Sequence, residues 1–364
     1  MEKKKSIKGL LISNIYPSKN YPYRGIFVRR FVEQLEEHNV NFDQKCVLSY
    51  TDHKILKLVF YFKFYVETII KVVQGKYDFI YLHYINHSLI PFVLLKFFLR
   101  KPLFLNAHGS DVFPEKWIAS ILIEITRGVL NSASLVVVPS TYFKQVIQEK
   151  YPKFDSKNII VYPSGGVDRS KFFPKESEKR SLTHIGYAGR IDFGKGWEVL
   201  LKAFANVHNK GSYKLSIAGS GKHDQDCIAL IDELGLASQV EFIGSLSPDE
   251  MPSFFQNLDV FVFPTYRLSE SLGLVGIEAM ACGIPLIGSN IGGLRDYLIE
   301  GVNGYFCEPK DVESLRACIE KFEELGQDQK IKLAENAFLT AKKYDSNAVA
   351  KDIAVVLKDK IIKA

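Results

Sequence analysis

Short apolar runs alternate with amphipathic stretches through almost the whole chain, and the alternation starts over once, after a polar joint. In the first half Lys8–Ile15, Phe42–Leu48, Phe79–His83, Leu103–Ala107, Leu135–Pro139 and Ile159–Tyr162 read as strands, several ending in small or polar residues. Amphipathic stretches such as Gly25–His38 and Thr141–Lys150 lie between them. Strands separated by helical crossovers imply a parallel sheet. The joint is Asp168–Ser181, "DRSKFFPKESEKRS", after which His184–Gly189, Lys214–Ala218, Val240–Ile243, Val260–Pro264, Pro285–Ser289 and Gly304–Phe306 repeat the pattern. The expectation is α/β: two doubly wound, Rossmann-like domains in tandem, with ligands bound in the gap between them.

Length agrees with two domains. The 364 residues are 47% hydrophobic and 24% charged, which is ordinary globular material able to bury two cores. No run of 18 apolar residues is free of charge, and the N-terminal "MEKKKSIKGLLISNIYP" lacks a small-residue cleavage site, so a cytoplasmic protein is expected. Cys46, Cys227, Cys282, Cys307 and Cys318 are odd in number and contain no Cys-x-x-Cys pair; neither a disulfide framework nor a zinc site is indicated.

Charge is divided unevenly. Residues 1–168 carry 23 Lys and Arg against 14 Asp and Glu, net +9, while the rest carry 24 against 27, net −3. With no RNP motif, helix-turn-helix signature or Cys/His finger, nucleic acid is not the expected partner; an anionic membrane surface or a phosphate-bearing substrate is. The stretch His53–Lys76 reads as a helix with Lys57, Lys63 and Lys71 on one side among Phe60 and Phe64, suited to a lipid interface. Its other side, Leu58, Phe62, Tyr65 and Ile69, is expected to pack on the sheet. Phe92–Lys101, "FVLLKFFLRK", is too short to span a membrane and is expected to be buried.

Two motifs carry chemistry. In "HIGYAGRIDFGKGWEVLLKAF" a strand ends at Gly189-Arg190, a glycine-containing loop closes at Lys195-Gly196, and a helix begins. Glycine permits close backbone approach, a helix N-terminus offers unpaired N–H groups, and two cations stand at the mouth, which together make a phosphate site. Alone, the same residues also fit a glycine-rich turn with solvated cations. The second motif is "ESLGLVGIEAMACGIP", Glu270–Pro285, two carboxylates eight positions apart in a segment that otherwise reads as core. Gly273, Leu274 and Val275 open a helix whose N–H groups can take a phosphate, while Glu270 and Glu278 can accept hydrogen bonds from vicinal sugar hydroxyls. The alternative is Glu270 favoured by the helix dipole and Glu278 paired to an Arg at the core edge. Asp224-Gln225-Asp226 matches the letters of a metal motif but sits at an exposed helix start, and no metal is expected there.

The stretches "GYAGRIDFGKG", "FVFPTYRLSESLGLVGIEAMACGIPLIGSNIGG" and "GVNGYF" resemble, in order and spacing, the C-terminal half of glycosyltransferase family 4, retaining nucleotide-sugar transferases of GT-B fold. The match spans roughly residues 159–310. "ISNIYPSKNYPYRGIFV" and "NAHGSDV" resemble N-terminal segments of the same family more loosely. The resemblance implies two Rossmann-like domains facing a central cleft: an acceptor-binding domain at 1–165, a linker at 166–182, a donor domain at 183–347, and a last helix, 348–364, returning to the first. It implies that Glu270 faces the donor sugar, Glu278 binds the ribose, and Arg190 and Lys195 hold the diphosphate. Gly25 would approach the diphosphate from the first domain, His108 would contact the donor sugar or the reacting groups, and Asp111 would orient that segment. A nucleoside diphosphate sugar is the implied substrate, UDP ahead of GDP, with a glycan or lipid-linked acceptor and neither cofactor nor metal. The chain departs from the family pattern at Leu272, at Ser164 with an additional Gly165, and at Arg24 before a single Gly25, none of which removes a charged group. A sugar-nucleotide epimerase of the same architecture and a non-catalytic nucleotide-sugar-binding subunit are the rival readings.

Overall fold

The computed structural model describes residues 6–22, 24–113, 117–175 and 182–363. The chain divides into two compact units, residues 1–165 with 347–364, and residues 166–346.

The first unit runs β1 (Ile7–Ser13), α1 (Ile26–Glu37), β2 (Val40–Val47), α2 (Lys54–Gln74), β3 (Phe79–His83), α3 (Phe92–Leu95), β4 (Leu103–Asn106), α4 (Trp117–Asn131), β5 (Leu135–Val138), α5 (Thr141–Lys150) and β6 (Ile159–Val161). Its sheet is parallel, ordered β2-β1-β3-β4-β5-β6. Successive strand residues face opposite sides, so Leu10 and Ile12 join a core with α2, α3, α4 and α5, while Leu11, Tyr81 and Phe104 join a second with α1. Both faces of the inner strands are covered, which is why β3, β4 and β5 are buried throughout and largely apolar without alternation, while the edge strand β2 carries Asn41, Asp43, Gln44 and Lys45.

The second unit runs β7 (Thr183–Ala188), α6 (Trp197–Ala205), β8 (Tyr213–Ala218), α7 (Asp224–Glu233), β9 (Val240–Gly244), α8 (Met251–Gln256), β10 (Val260–Phe263), α9 (Leu274–Ala281), β11 (Leu286–Ser289), β12 (Gly304–Cys307), α10 (Val312–Glu323) and α11 (Gln327–Ala341). Its parallel sheet is ordered β12-β11-β10-β7-β8-β9. The last helix, α12 (Ser346–Ile362), places Val349, Ile353, Ala354 and Leu357 in the first unit's core beside Leu11 and Tyr81.

The stretch 166–182 is less of a free joint than its polarity suggests. Val167 pairs in parallel with Asp345 and, with Phe172, is buried in the second unit's core. Residues 176–181 of that stretch lie outside the described residues.

Two expectations about apolar faces are corrected. Leu58 and Phe62 do not pack on the sheet: they are 73% and 71% exposed, with Val59, Val66 and Ile70 exposed beside them. The line that packs is Phe64, Thr68 and Val72, at i, i+4 and i+8, with Tyr65 and Ile69 packed beside it as expected, so Phe64 is buried rather than lipid-facing.

 Thr68, polar yet fully buried, donates its Oγ1 hydrogen to Phe64 O at 2.8 Å, and Val72 completes the inner line. The helix is apolar nearly all round, so periodicity alone leaves its rotation open. Lys71, assigned to the lipid side, is instead bound to Glu67 Oε1 at 2.7 Å and Lys45 O at 2.8 Å. Likewise Phe92 and Leu95 are buried, but Leu94, Phe97 and Phe98 of the same stretch are exposed. Among the described residues no helix is long and apolar enough to cross a membrane.

Candidate active site

In the second unit, the strand order reverses beside β7, whose neighbours are β8 on one side and β10 on the other. The loops leaving the carboxyl ends of these strands diverge there and open a crevice, the usual ligand position in a doubly wound sheet. A pocket of about 430 Å³ occupies it, lined by Arg190 and Lys195 from the β7–α6 loop, by Glu270, and by Gly273, Leu274 and Val275 where α9 begins.

Local backbone chemistry shapes this pocket. Gly273 caps α9 with φ 78°, and a Cβ there would stand 2.5 Å from the Phe263 ring. Only glycine takes that left-handed conformation with so close a neighbour at no steric cost. It aims the first turn of α9, whose N–H groups have no intrahelical acceptor, at the pocket. These amides, with the positive end of the helix dipole, favour an anion.

The side chains add charge of both signs. Lys195 Nζ lies 2.6 Å from Glu270 Oε2, and the two side chains are only 16% and 12% exposed. Thr265 Oγ1, fully buried, sits 3.3 Å from the same carboxylate oxygen. An ammonium has three N–H donors, so pairing with Glu270 leaves others for a ligand. Arg190 is 64% exposed and pairs with Asp192 Oδ2 at 2.7 Å. Burial works to raise the Asp192 pKa, but the Lys222 N–H at 3.1 Å and the Arg190 charge hold it below the usual carboxylate range.

Glu278 is not among the residues that line this pocket; it is half-buried on α9 between the fully buried Ile277 and Ala279. Several pocket residues escaped the sequence reading: Gly219 and Ser220 after β8, Ser245 and Leu246 after β9, and Met251 at the start of α8. "AGSGKHD" carried a usable signal, since it is a second glycine-containing loop after a strand. Ser245 and Met251 carried none, because their role depends on tertiary placement. Asp224 and Asp226 serve locally: Asp224 Oδ1 accepts from Gly221 N at 2.7 Å, and Asp226 Oδ2 lies 2.7 Å from His223 Nδ1. Among the described residues no three His, Cys, Asp or Glu side chains gather as a metal-ligand set.

The remaining assigned residues lie in the first unit. Gly25 caps α1 with φ 73°, and a Cβ there would meet the backbone of Ile15 and Tyr16 at 2.9 Å. His108 Nε2 is 2.8 Å from His83 Nδ1, and its ring packs against Phe27 and Tyr84. Burial pushes the His108 pKa down to about 3, and burial followed by the His108 neighbour lowers that of His83. Asp111, buried, accepts N–H groups from Ile85 at 3.0 Å and from His108 and Gly109 at 2.9 Å, which fixes the segment.

Two doubly wound units, one with an anion-favouring pocket at its switch point, define the GT-B class of fold. Solved structures share it: the chain is similar to Anabaena Alr3699/HepE in complex with UDP (TM-score 0.76, 19% identical, covering 97% of this chain and 100% of that one). It is also similar to sucrose-phosphate synthase from Thermosynechococcus elongatus (TM-score 0.79, 19% identical, covering 98% and 100%). The profile of glycosyl transferases group 1 matches residues 168–340, and that of Glycosyltransferase Family 4 matches residues 16–170. The chain belongs to the family 4 glycosyltransferases. Its curated relatives include the D-inositol 3-phosphate glycosyltransferase of Corynebacterium urealyticum, 29% identical over 62% of this chain and 56% of that protein. Another is the capsular polysaccharide biosynthesis glycosyltransferase CapM of Staphylococcus aureus, 33% identical over 49% of this chain and 46% of that protein. The chain thus spans about half the length of these relatives.

Proposed function

We propose that the protein is a retaining, metal-independent hexosyltransferase that moves a sugar from a nucleoside diphosphate sugar, UDP in preference to GDP, to a glycan or lipid-linked acceptor. Surface polysaccharide or glycolipid synthesis is the proposed setting. The observation that carries this reading is the second unit's pocket, lined together by Arg190, the Lys195–Glu270 pair and the first turn of α9. The UDP bound to Alr3699/HepE and the capsular role of CapM support the donor and the setting.

In this mechanism the bond between the sugar's anomeric carbon and the β-phosphate oxygen breaks as the acceptor hydroxyl approaches from the same face. The acceptor oxygen bonds to the anomeric carbon, and its proton passes to the departing phosphate oxygen. Negative charge growing on the diphosphate is stabilised by Arg190, Lys195 and the N–H groups of Leu274 and Val275, which are positioned before the reaction begins. Glu270 faces the sugar, whose developing positive charge its carboxylate favours, and Glu278 takes the ribose hydroxyls. His108, with its pKa near 3, is too weak a base to take a proton near neutral pH, so its proposed part is a hydrogen bond from a neutral imidazole to the donor sugar. Gly25 supplies close backbone approach to the diphosphate.

A panel of UDP, GDP and ADP sugars, scored for binding, hydrolysis and transfer, tests this directly. Arg190→Ala and Glu278→Ala are expected to weaken nucleotide binding; full affinity of both for every nucleoside diphosphate would refute the site.

A peripheral cytoplasmic location at an anionic membrane is part of the proposal. The outward face of α2, Leu58, Val59, Phe62, Val66 and Ile70, is apolar and exposed, and the exposed Lys54, Lys57 and Lys63 flank it. Apolar residues beside lysines suit the headgroup boundary of such a bilayer. Leu58→Asp with Phe62→Asp should abolish sedimentation with phosphatidylglycerol vesicles; unchanged sedimentation would remove the membrane from the reading.

A further inference from the structure

The first unit has a smaller pocket of about 170 Å³ at its own switch point, between β1 and its neighbours β2 and β3. Asn14 comes from the loop after β1, Tyr50 from the loop after β2, Tyr84 from the loop after β3, Arg24 from the turn before α1, and Lys57 and Tyr61 from α2. Nothing assigned so far uses it. Its chemistry differs from that of the larger pocket: it holds two cations, three tyrosine rings and one buried amide oxygen.

The arginine is held in place. Its guanidinium lies 3.7 Å over the Tyr50 ring, a stacked cation–π contact. Tyr50 is itself fixed, since its hydroxyl bonds to Asp52 Oδ1 and Tyr21 packs edge-on at 4.7 Å, with its own hydroxyl 3.3 Å from Asp52 Oδ2. The one nearby carboxylate is therefore engaged by two phenols. Among the described residues no carboxylate comes within ion-pair distance of Arg24 or Lys57. The Asn14 Oδ1 atom is buried and has no hydrogen-bond partner. A buried acceptor without a partner carries a desolvation cost that a ligand hydroxyl would relieve.

We infer that this pocket binds the acceptor through a phosphate, with Arg24 and Lys57 taking the charge, Asn14 accepting a sugar hydroxyl, and Tyr61 packing against the sugar's apolar face. The inference rests on the transferase reading above and names the acceptor's chemical class. Stacking on the ring leaves the in-plane N–H donors of Arg24 available, and a guanidinium suits the paired oxygens of a phosphate. At about 170 Å³ the pocket is below the roughly 300–1,000 Å³ of a drug-sized site, so it takes one phosphate and one sugar rather than an oligosaccharide. The phosphate has two sources, a soluble sugar phosphate or the headgroup of a lipid-linked sugar.

Calorimetry with glucose 1-phosphate and glucose as probes tests the inference in the full-length chain. To silence the larger pocket, the titrations are repeated in an Arg190→Ala/Lys195→Ala background. Glucose 1-phosphate should still bind there, and Arg24→Gln and Lys57→Gln should each weaken it about tenfold or more, as expected for a lost charge-assisted hydrogen bond. Arg24→Lys should recover part of the loss, and UDP affinity should stay at the wild-type value in both Gln variants. Phosphatidylcholine vesicles carrying hexadecyl phosphate separate the sources: retention that depends on Arg24 and Lys57 assigns a lipid headgroup, and absence of retention alongside glucose 1-phosphate binding assigns a soluble acceptor. Glucose 1-phosphate binding that disappears in the Arg190→Ala/Lys195→Ala background and persists in the Gln variants would overturn the inference while leaving the donor site intact. A fall in UDP affinity in the Gln variants would also overturn it, by giving these cations to the donor. Failure of wild-type protein to bind UDP would instead count against the transferase reading itself.

Discussion

In the second unit the pocket's lysine is bound to a glutamate 75 residues further along the chain, and the exposed arginine has Asp192. In the first unit the pocket's arginine rests on a tyrosine ring and its lysine meets no carboxylate among the described residues. The same contrast runs through the apolar surface. Leu58, Phe62, Leu94, Phe97, Phe98 and Trp117 stand more than two-thirds exposed in the first unit, whereas in the second Phe193 alone among the described large hydrophobic residues does so. One topology, a six-stranded parallel sheet with a crevice where the order reverses, therefore carries two chemistries. The second unit is closed around its own charges, and the first leaves cations and apolar side chains for something outside itself.

The contrast can be broken most forcefully inside α2. Phe64→Ala removes a ring that is 2% exposed, and should cost about 3–5 kcal/mol of stability in denaturant titration; a loss under about 1 kcal/mol would mean this helix is not seated as described. Next is Lys195→Ala, which leaves Glu270 without its cation in a mostly enclosed site. The broken pair should cost roughly 2–3 kcal/mol of stability in denaturant titration, and, separately, loss of a cation positioned for the leaving diphosphate should lower kcat/KM for donor turnover about a hundredfold. Arg190→Ala, at an exposed pair, should do less.

Gly273→Ala sharpens the comparison on the backbone side. It forces φ 78° on a residue with a Cβ and drives that carbon to 2.5 Å from Phe263, so about 1–3 kcal/mol of stability should go, with weaker nucleotide binding as the first turn of α9 shifts. Acid should act on the first unit through His83 and His108. Both stay neutral when folded, and take up protons when unfolded, so the stability present above about pH 6.5 should fall as pH drops from there toward about 3. His108→Asn should flatten that slope in pH-dependent unfolding; an unchanged slope would show that His108 is not shielded. The smallest effect is Phe62→Ala, which should change stability by less than about 0.5 kcal/mol because the ring is already in solvent.

Sequence resolved some of this structure far better than other parts. All six strands of each sheet coincide with the runs read as strands; the inner ones stood out because a strand buried on both faces has few polar positions to confuse the pattern, and the edge strands β2 and β9 because their apolar residues alternate with polar ones. The glycine loops were legible for a similar reason: Gly196 and Gly273 stand where a helix must start abruptly after a strand. The rotation of α2 was not legible, since a helix apolar nearly all round offers no preferred face, and only the tertiary packing of Phe64, Thr68 and Val72 chooses one. The Lys195–Glu270 pair was hidden differently: each residue was picked out, but for separate roles, and nothing in the intervening stretch shows that they meet. His83 lay within a strand read as core, so its bond to His108, which occupies one nitrogen of that imidazole, could not be foreseen.

The return of α12 ties together the two ends of the chain's history. The sheet face formed by Leu11, Tyr81 and Phe104 is capped by residues that leave the ribosome roughly 200 positions later, about 10–40 s at ~5–20 residues per second. Throughout that interval α1 covers only part of the oily face, and the rest waits while the whole second unit is synthesised. A nonsense mutation near residue 345 would thus injure the oldest part of the polypeptide, leaving the freshly made part whole.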